Sequence, residues 1–173
     1  MGLCAQPAAI QQLVHNNPNV TYNLSDFSAF LDTVPFNKQD KLEFIYYWVT
    51  NNIQCQHAYP LMASETNDPN EVLFNYSATA FGFAALVQAL CEAAQIECYQ
   101  VFGYIKNNLY YPGRPFSQPN HAWNLAFVGS KPVFIDAFSG SGYFIHRLEG
   151  ARLLKKLACI PLFKTKPFIN QHR

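Results

Sequence analysis

Residues 80–95 run almost without interruption in small and apolar side chains, with Ala80, Phe83, Ala84, Leu86, Val87, Leu90, Cys91 and Ala94 spread around a helical period. A helix that is apolar nearly all round cannot lie on a surface, so the rest of the chain must be wrapped about it. The period then changes to that of strands, over 98–104, 122–128 and 133–138, and Gly129-Ser130-Lys131 signals a hairpin between the last two. Ahead of the central helix the spacing predicts a peripheral helix over Gln6–His15. A second is expected to open at Ser25 and Asp26 and to stop before Pro35, and a longer one, capped by Asn37, to run to Asn51 with Leu42, Ile45, Tyr46 and Val49 inward. The stretch from Gln54 to Asn75 is polar and broken by Pro60 and Pro69, so it predicts a loop with at most one turn near 71–74. Residues 107–120 carry Pro112, Gly113, Pro115 and Pro119 and predict an exposed flap. Beyond Ser139 a Gly-Ser-Gly turn, a basic helical piece over Arg147–Leu157 and a strand over Ile160–Phe163 are expected.

With 173 residues and half of them hydrophobic, the chain is expected to form one domain, 1–173, with a real core. Charged residues make up 13%, against about a quarter in an average chain, and the net charge is +1 with no run of one sign. That balance argues against a nucleic-acid or anionic-membrane partner. Five cysteines in no CxxC arrangement point to free thiols in a reducing compartment, and no metal site is expected. No stretch is long enough to span a bilayer, and the first residues lack the basic and apolar parts of a secretion signal. A cytoplasmic protein is expected, or one exported by a route that needs no signal.

His121 and Asp136 stand fifteen positions apart, one opening a predicted strand and the other closing the next. Cross-strand neighbours at that spacing let a carboxylate hold one ring nitrogen of the histidine and leave the other facing a nucleophile. An acid between Ile135 and Ala137 also needs a partner, because an unpaired charge in an apolar strand is costly. A thiol in the first turn of the central helix would be kept ionised by the helix dipole and the imidazolium. Position 80 meets that description, and it holds alanine.

These residues, taken together, resemble the transglutaminase-like superfamily, the papain-related group of transglutaminases, peptide N-glycanases and kyphoscoliosis-peptidase-type cysteine proteases. Lys41–Ile53 is similar to its helix Ala-Ile-Tyr-x-Trp-Val-Thr-x-Asn-Ile, and Glu71-Val72-Leu73 followed by Ala80-Phe81-Gly82-Phe83-Ala84-Ala85-Leu86 to its nucleophile segment, Val-Leu … Cys-x-Gly-Tyr-Ala-x-Leu. Leu90–Ile96 corresponds to the end of that helix, and His121-Ala122-Trp123-Asn124 with Asp136 to its His and Asp motifs. Five pieces in order, over about 41–143, make a specific match. The resemblance implies an α+β, papain-like fold: a central helix starting at the nucleophile position, packed on an antiparallel sheet that bears His121 and Asp136, with amino-terminal helices outside. It implies thiol-dependent acyl transfer on protein or peptide amides, of protease, deamidase or crosslinking type, with no cofactor. Some relatives use calcium, but no Asp/Glu cluster is present to bind it.

The alignment pins the family's cysteine to position 80, so the chain is expected to be inactive as written. An engineered substitution is the favoured reading, because an intact His and Asp have no purpose on a scaffold long dead. A naturally inactive, protein-binding relative is the alternative, and an arylamine-type acyltransferase shares the same triad. Cys91, eleven positions on, belongs to the core. Trp123 reads as a ring packed under the histidine, while Tyr110, Tyr111 and Phe116 read as flap anchors or substrate contacts. His15, His57, His146 and His172 receive no role. One oxyanion donor is expected to be the backbone N–H of residue 80, and Gln54 or Asn75 is the candidate for the second.

Overall fold

A computed structural model describes residues 8–16, 23–56, 67–106, 112–113, 118–147 and 150–154. Three helices come first: α1 (Ala8–Asn16), α2 (Leu24–Thr33) and α3 (Lys38–Asn52). Asn23 and Asn37 start the second and third, each side-chain oxygen accepting from the N–H of an aspartate three residues on, at 2.9 and 3.0 Å. Such a cap contributes about 1 kcal/mol. The expected start at Ser25 and Asp26 is therefore corrected by two residues: Asp26 lies inside the first turn, where its charge suits the helix dipole.

The segment read as loop holds more order than its prolines suggested. β1 (Gln54–Cys55) pairs in parallel with β2 (Ser77–Ala78), and α4 (Pro69–Asn75) lies between them in sequence. Pro69 begins that helix instead of breaking the chain, because a helix's first residue needs no N–H, and Asp68 caps it by accepting from Asn70 N–H at 2.9 Å. Tyr76 ends it in the left-handed region (φ 50°) and turns the backbone into β2.

α5 (Ala80–Ala93) is the predicted central helix, with Phe83, Leu86, Val87, Leu90 and Cys91 all buried. On one side it meets the antiparallel meander β3 (Glu97–Gly103), β4 (His121–Val128) and β5 (Lys131–Ile135), and it also packs against α2 and α3. Phe27, Phe44 and Trp48 fill the core beside it, Trp48 standing edge-on to Phe27 at 5.2 Å. Small residues let the helix approach closely: a Cβ on Gly82 would come within 2.8 Å of Ala78 Cβ. Gly129, at φ 63°, opens the two-residue turn between β4 and β5, as its sequence predicted.

Two expectations at the end of the chain are overturned. The third strand stops at Ile135, and Ala137–Ser141 form a short helix, α6, because Asp136 caps it. Of the piece expected as a basic helix, Arg147 ends β6 (Tyr143–Arg147) and Gly150–Leu154 form its antiparallel partner, β7. The pairing opens at Tyr143-Phe144-Ile145, aromatic and β-branched residues that favour strands. The strand expected over Ile160–Phe163 and the flap residues Tyr110, Tyr111 and Phe116 lie outside the described residues, as do His57 and His172.

α6 is pressed against α3 at Gly140, where a Cβ would stand 2.5 Å from Tyr46 Oη and 2.9 Å from Thr50 Cγ2. Gly140→Ala is expected to lower stability in urea unfolding by about 1–3 kcal/mol, the usual cost of overpacking. Tyr46→Phe in the same background should recover part of that loss, since it removes the nearest atom.

Candidate active site

His121 opens β4 and Asp136 follows β5, and their side chains meet: His121 Nε2 lies 3.0 Å from Asp136 Oδ2. The imidazole is 1% exposed and the carboxylate 11%, so little water competes for the bond. With Nε2 engaged by the carboxylate, Nδ1 is the nitrogen available to a reacting atom. The register explains the meeting. Asn124 pairs with Ile135, so Asp136 stands one step beyond the last pair, on the strand face that alternation gives to Trp123 and His121.

Asp136 serves a second purpose that the sequence reading missed. As the cap of α6 it accepts from Ser139 N–H through Oδ1 at 2.9 Å and from Ser139 Oγ–H through Oδ2 at 2.8 Å. The carboxylate is thus fixed from two directions before it orients the histidine. Burial pushes its pKa up, but His121 and the two bonds from Ser139 outweigh that and hold it below the ordinary carboxylate value. Tyr46 packs nearby, its phenol held above its usual value by burial, by Tyr47 and by the Asp136 charge. The signal was present in sequence, since Asp-x-x-Ser after a strand is a helix-start pattern.

Other side chains position the ring. Trp123 lies edge-on to His121 at 4.8 Å, as expected, and Phe138 of α6 contacts it from 5.7 Å. Gly103, the register partner of His121, leaves the space that the Trp123 ring fills: a Cβ there would be 2.6 Å from Trp123 Cζ3. Asn120, just before the histidine, bonds both backbone groups of Ile105 through its side chain, accepting at 2.8 Å and donating at 3.0 Å, and so continues the β3–β4 pairing past its end.

Ala80 is the first residue of α5 and 6% exposed. Its cap residue, Thr79, makes no side-chain capping bond, so the cap hydroxyl leaves the first-turn N–H groups to whatever acceptor the site receives, and the dipole favours an anion there. Three contacts tie the first turns of α5 to β4, β3 and α6 in turn. Asn124 Nδ2 donates to Ala84 O at 2.8 Å, Phe81 stacks on Phe102 at 6.0 Å, and Phe83 meets Phe138, itself a neighbour of His121, at 5.6 Å.

The two candidates for a second oxyanion donor are placed less tightly. Gln54 is exposed on β1 opposite Ser77, and Asn75, also exposed, ends α4. Because β1 and β2 run in parallel, Gln56 lies further toward Ala80 than Gln54 does, with its N–H on Ala78 O and its amide on Ser77 Oγ. Cys55, Cys91 and Cys98 are free and buried. Burial raises the Cys55 thiol despite its bond to Ser141, while the adjoining Cys98 thiol and burial raise that of Cys91. No group of three or more metal-ligating side chains occurs among the described residues, and none of their helices is long and apolar enough to cross a membrane.

The model of the transglutaminase-like superfamily matches residues 30–137, more than half of the chain. The chain belongs to that superfamily. Kyphoscoliosis peptidase from Homo sapiens and from Mus musculus are each 28% identical over 109 residues, which is 60% of this chain but 16% of theirs. The chain thus spans about a sixth of these relatives. A solved structure from Parabacteroides distasonis, named as a candidate protease, superposes with a TM-score of 0.52 at 19% identity, over 85% of this chain and 30% of that one. It supports the α+β fold.

Because the folded-state pKa of Asp136 is lowered, the ionised carboxylate stabilises the protein above its unfolded value of about 3.9, and that contribution disappears as pH falls through the folded value. Urea unfolding of wild type and Asp136→Asn from pH 7 to pH 2.5 should show wild type more stable by about 1–3 kcal/mol at the upper end. The gap should close below about pH 4. A difference that does not depend on pH would rule out the charge as its source.

Proposed function

We propose that this domain is built for cysteine-dependent acyl transfer on protein carboxamides or peptide bonds, and that with alanine at position 80 it binds such groups without turning them over. The observation that carries this reading is the buried His121 held by the doubly anchored Asp136, on a strand and a helix that both pack against α5. A histidine needed only for packing has no use for a carboxylate fixed by three bonds.

In the Ala80→Cys form the chemistry runs in two halves. The sulfur, ionised by proton transfer to His121 Nδ1 and by the helix dipole, attacks the carbonyl carbon. The C–N bond breaks as His121 returns the proton to the departing ammonia or amine, leaving a thioester. Asp136 stabilises the imidazolium between these steps. Water or a lysine amine then attacks the thioester, His121 takes up its proton, and the sulfur leaves as thiolate. Water gives protease or deamidase activity, and an amine gives a crosslink. The residue-80 N–H is the first oxyanion donor, with Gln54 or Asn75 as proposed second donors and Gln56 a further one by its position.

A second reading is a native recognition module that uses the same site for binding alone. Ala80 itself favours it, together with the raised, buried thiols of Cys55 and Cys91, neither of which is suited to replace the missing sulfur. A cysteine codon at position 80 of the native gene would instead mark the alanine as introduced. The free thiols also support a reducing compartment as the working location.

Iodoacetamide should label Ala80→Cys at position 80 at neutral pH at least tenfold faster than Cys91, and His121→Ala in that background should slow the labelling by about 10²-fold, the scale of an acid–base partner. Ammonia release from a glutamine-containing protein, with and without a primary amine, then separates hydrolysis from crosslinking. Equal labelling of positions 80 and 91 would remove the acyl-transfer reading.

A further inference from the structure

We infer that Phe81 and Phe102 form an aromatic recognition site flanking position 80, and that it selects peptides with a large apolar side chain, best an aromatic one, next to the carboxamide in the site. This rests on the reading of the α5 start as the peptide site, and it adds the class of peptide taken.

The two rings are stacked, with centroids 6.0 Å apart and planes 21° from parallel. Phe81 follows Ala80 directly. Phe102 pairs across the sheet with Ala122, the residue after His121. The stack therefore links the segment that carries position 80 to β3, the strand paired with that of the proposed base. Packing accounts for only one side of it: Phe81 is half-buried, yet Phe102 remains 55% exposed, and Tyr104, two residues along the same strand face, is 40% exposed. An open phenyl face already fixed by a stacked neighbour is a preformed platform for a third ring, which offset or edge-on geometry accommodates.

The chemistry of the occupant follows from what surrounds the platform. Residues 101–105 are Val-Phe-Gly-Tyr-Ile, uncharged up to the exposed Lys106, and residues 77–87 carry no charge either. An acidic or basic peptide side chain would find no countercharge from these two segments, whereas an apolar one removes its own surface and that of Phe102 from water. Phe74, 77% exposed on α4, is a surface phenyl outside the stack and provides the internal control.

The experiment uses the chain with Ala80 in place, which binds without consuming the peptide. Fluorescence anisotropy is measured for short fluorescein-labelled peptides with one central glutamine, whose flanking positions on either side carry Gly, Asp, Lys, Leu or Phe. The best Phe peptide should bind at least about tenfold more tightly than its Gly counterpart, the scale set by burying a phenyl group. Phe102→Ser should cut that advantage to less than about threefold and leave the Gly peptide unaffected, while Phe74→Ala should change neither. If the serine variant melts early, Phe102→Leu, which keeps the bulk, should still erase the advantage of Phe over Leu peptides. Equal affinity for all peptides, no binding of any, or a preference that survives loss of the Phe102 ring would overturn the site. An Ala80→Cys form that releases no ammonia or amine while the aromatic preference persists would defeat the acyl-transfer reading alone. Turnover with no such preference would defeat the recognition site alone.

Discussion

The hydrogen bond from Asn124 to the carbonyl of Ala84 ties the central helix to the middle strand, and the geometry of the whole site depends on it. It is buried, 2.8 Å long and reaches across forty positions of sequence. A helix carbonyl already serving its own ladder can accept a second donor only where that donor comes close. Closeness in turn requires small side chains, and Ala84 on the helix and Ala122 and Ala126 on the strand are all buried. Losing the bond would leave a buried amide unpaired, which costs more than the bond itself gains. The contact therefore fixes the sliding of helix along strand, and with it the placing of position 80 relative to His121.

The carboxylate illustrates how a small domain makes one group serve two ends. Asp136 starts a five-residue helix through both carboxylate oxygens and orients an imidazole through one of them, Oδ2. Neither task is strong alone, since so short a helix has little stability of its own. Coupling them makes the site part of the fold: α6 stands where it does because Gly140 admits Tyr46 and Thr50, and the carboxylate stands where it does because α6 is there. Disturbing the α3–α6 contact should thus reach the histidine without touching it.

How much of this was legible in the sequence depended on whether a feature was local. The central helix, the meander and its Gly129 turn were readable because apolar period and turn chemistry are written within a few residues. His121 and Asp136 were readable as a pair because hairpin register converts their spacing into adjacency. Asn37 announced itself as a cap. Asn23 did not, because Ser25 and Asp26 compete for the same role two residues later and only tertiary docking decides among them. Pro69 was taken for a break when it marks a start, since a proline reads either way until its capping neighbour Asp68 is noticed. The roles of Gly103, Asn120 and Asn124 were hidden for a different reason: each acts on a residue far away in sequence or on a ring whose position only the fold reveals.

If position 80 is read as proposed, the site's residual character lies in the groups that do not depend on a sulfur. The head of α5 still presents a helix dipole and N–H groups not taken by the Thr79 side chain, and the histidine is still held by its carboxylate. On that reading the helix dipole would favour a polarised carbonyl oxygen at the head of α5, whether or not a covalent bond forms. Neither Cys91 nor Cys55 is suited to the part proposed for a sulfur at position 80. Cys91 sits three turns down the same helix in a dry environment that disfavours thiolate, and Cys55 is likewise held protonated. On the proposed reading, alanine at position 80 removes turnover and leaves the groups that would orient a peptide in place, so peptide selectivity can be measured apart from catalysis.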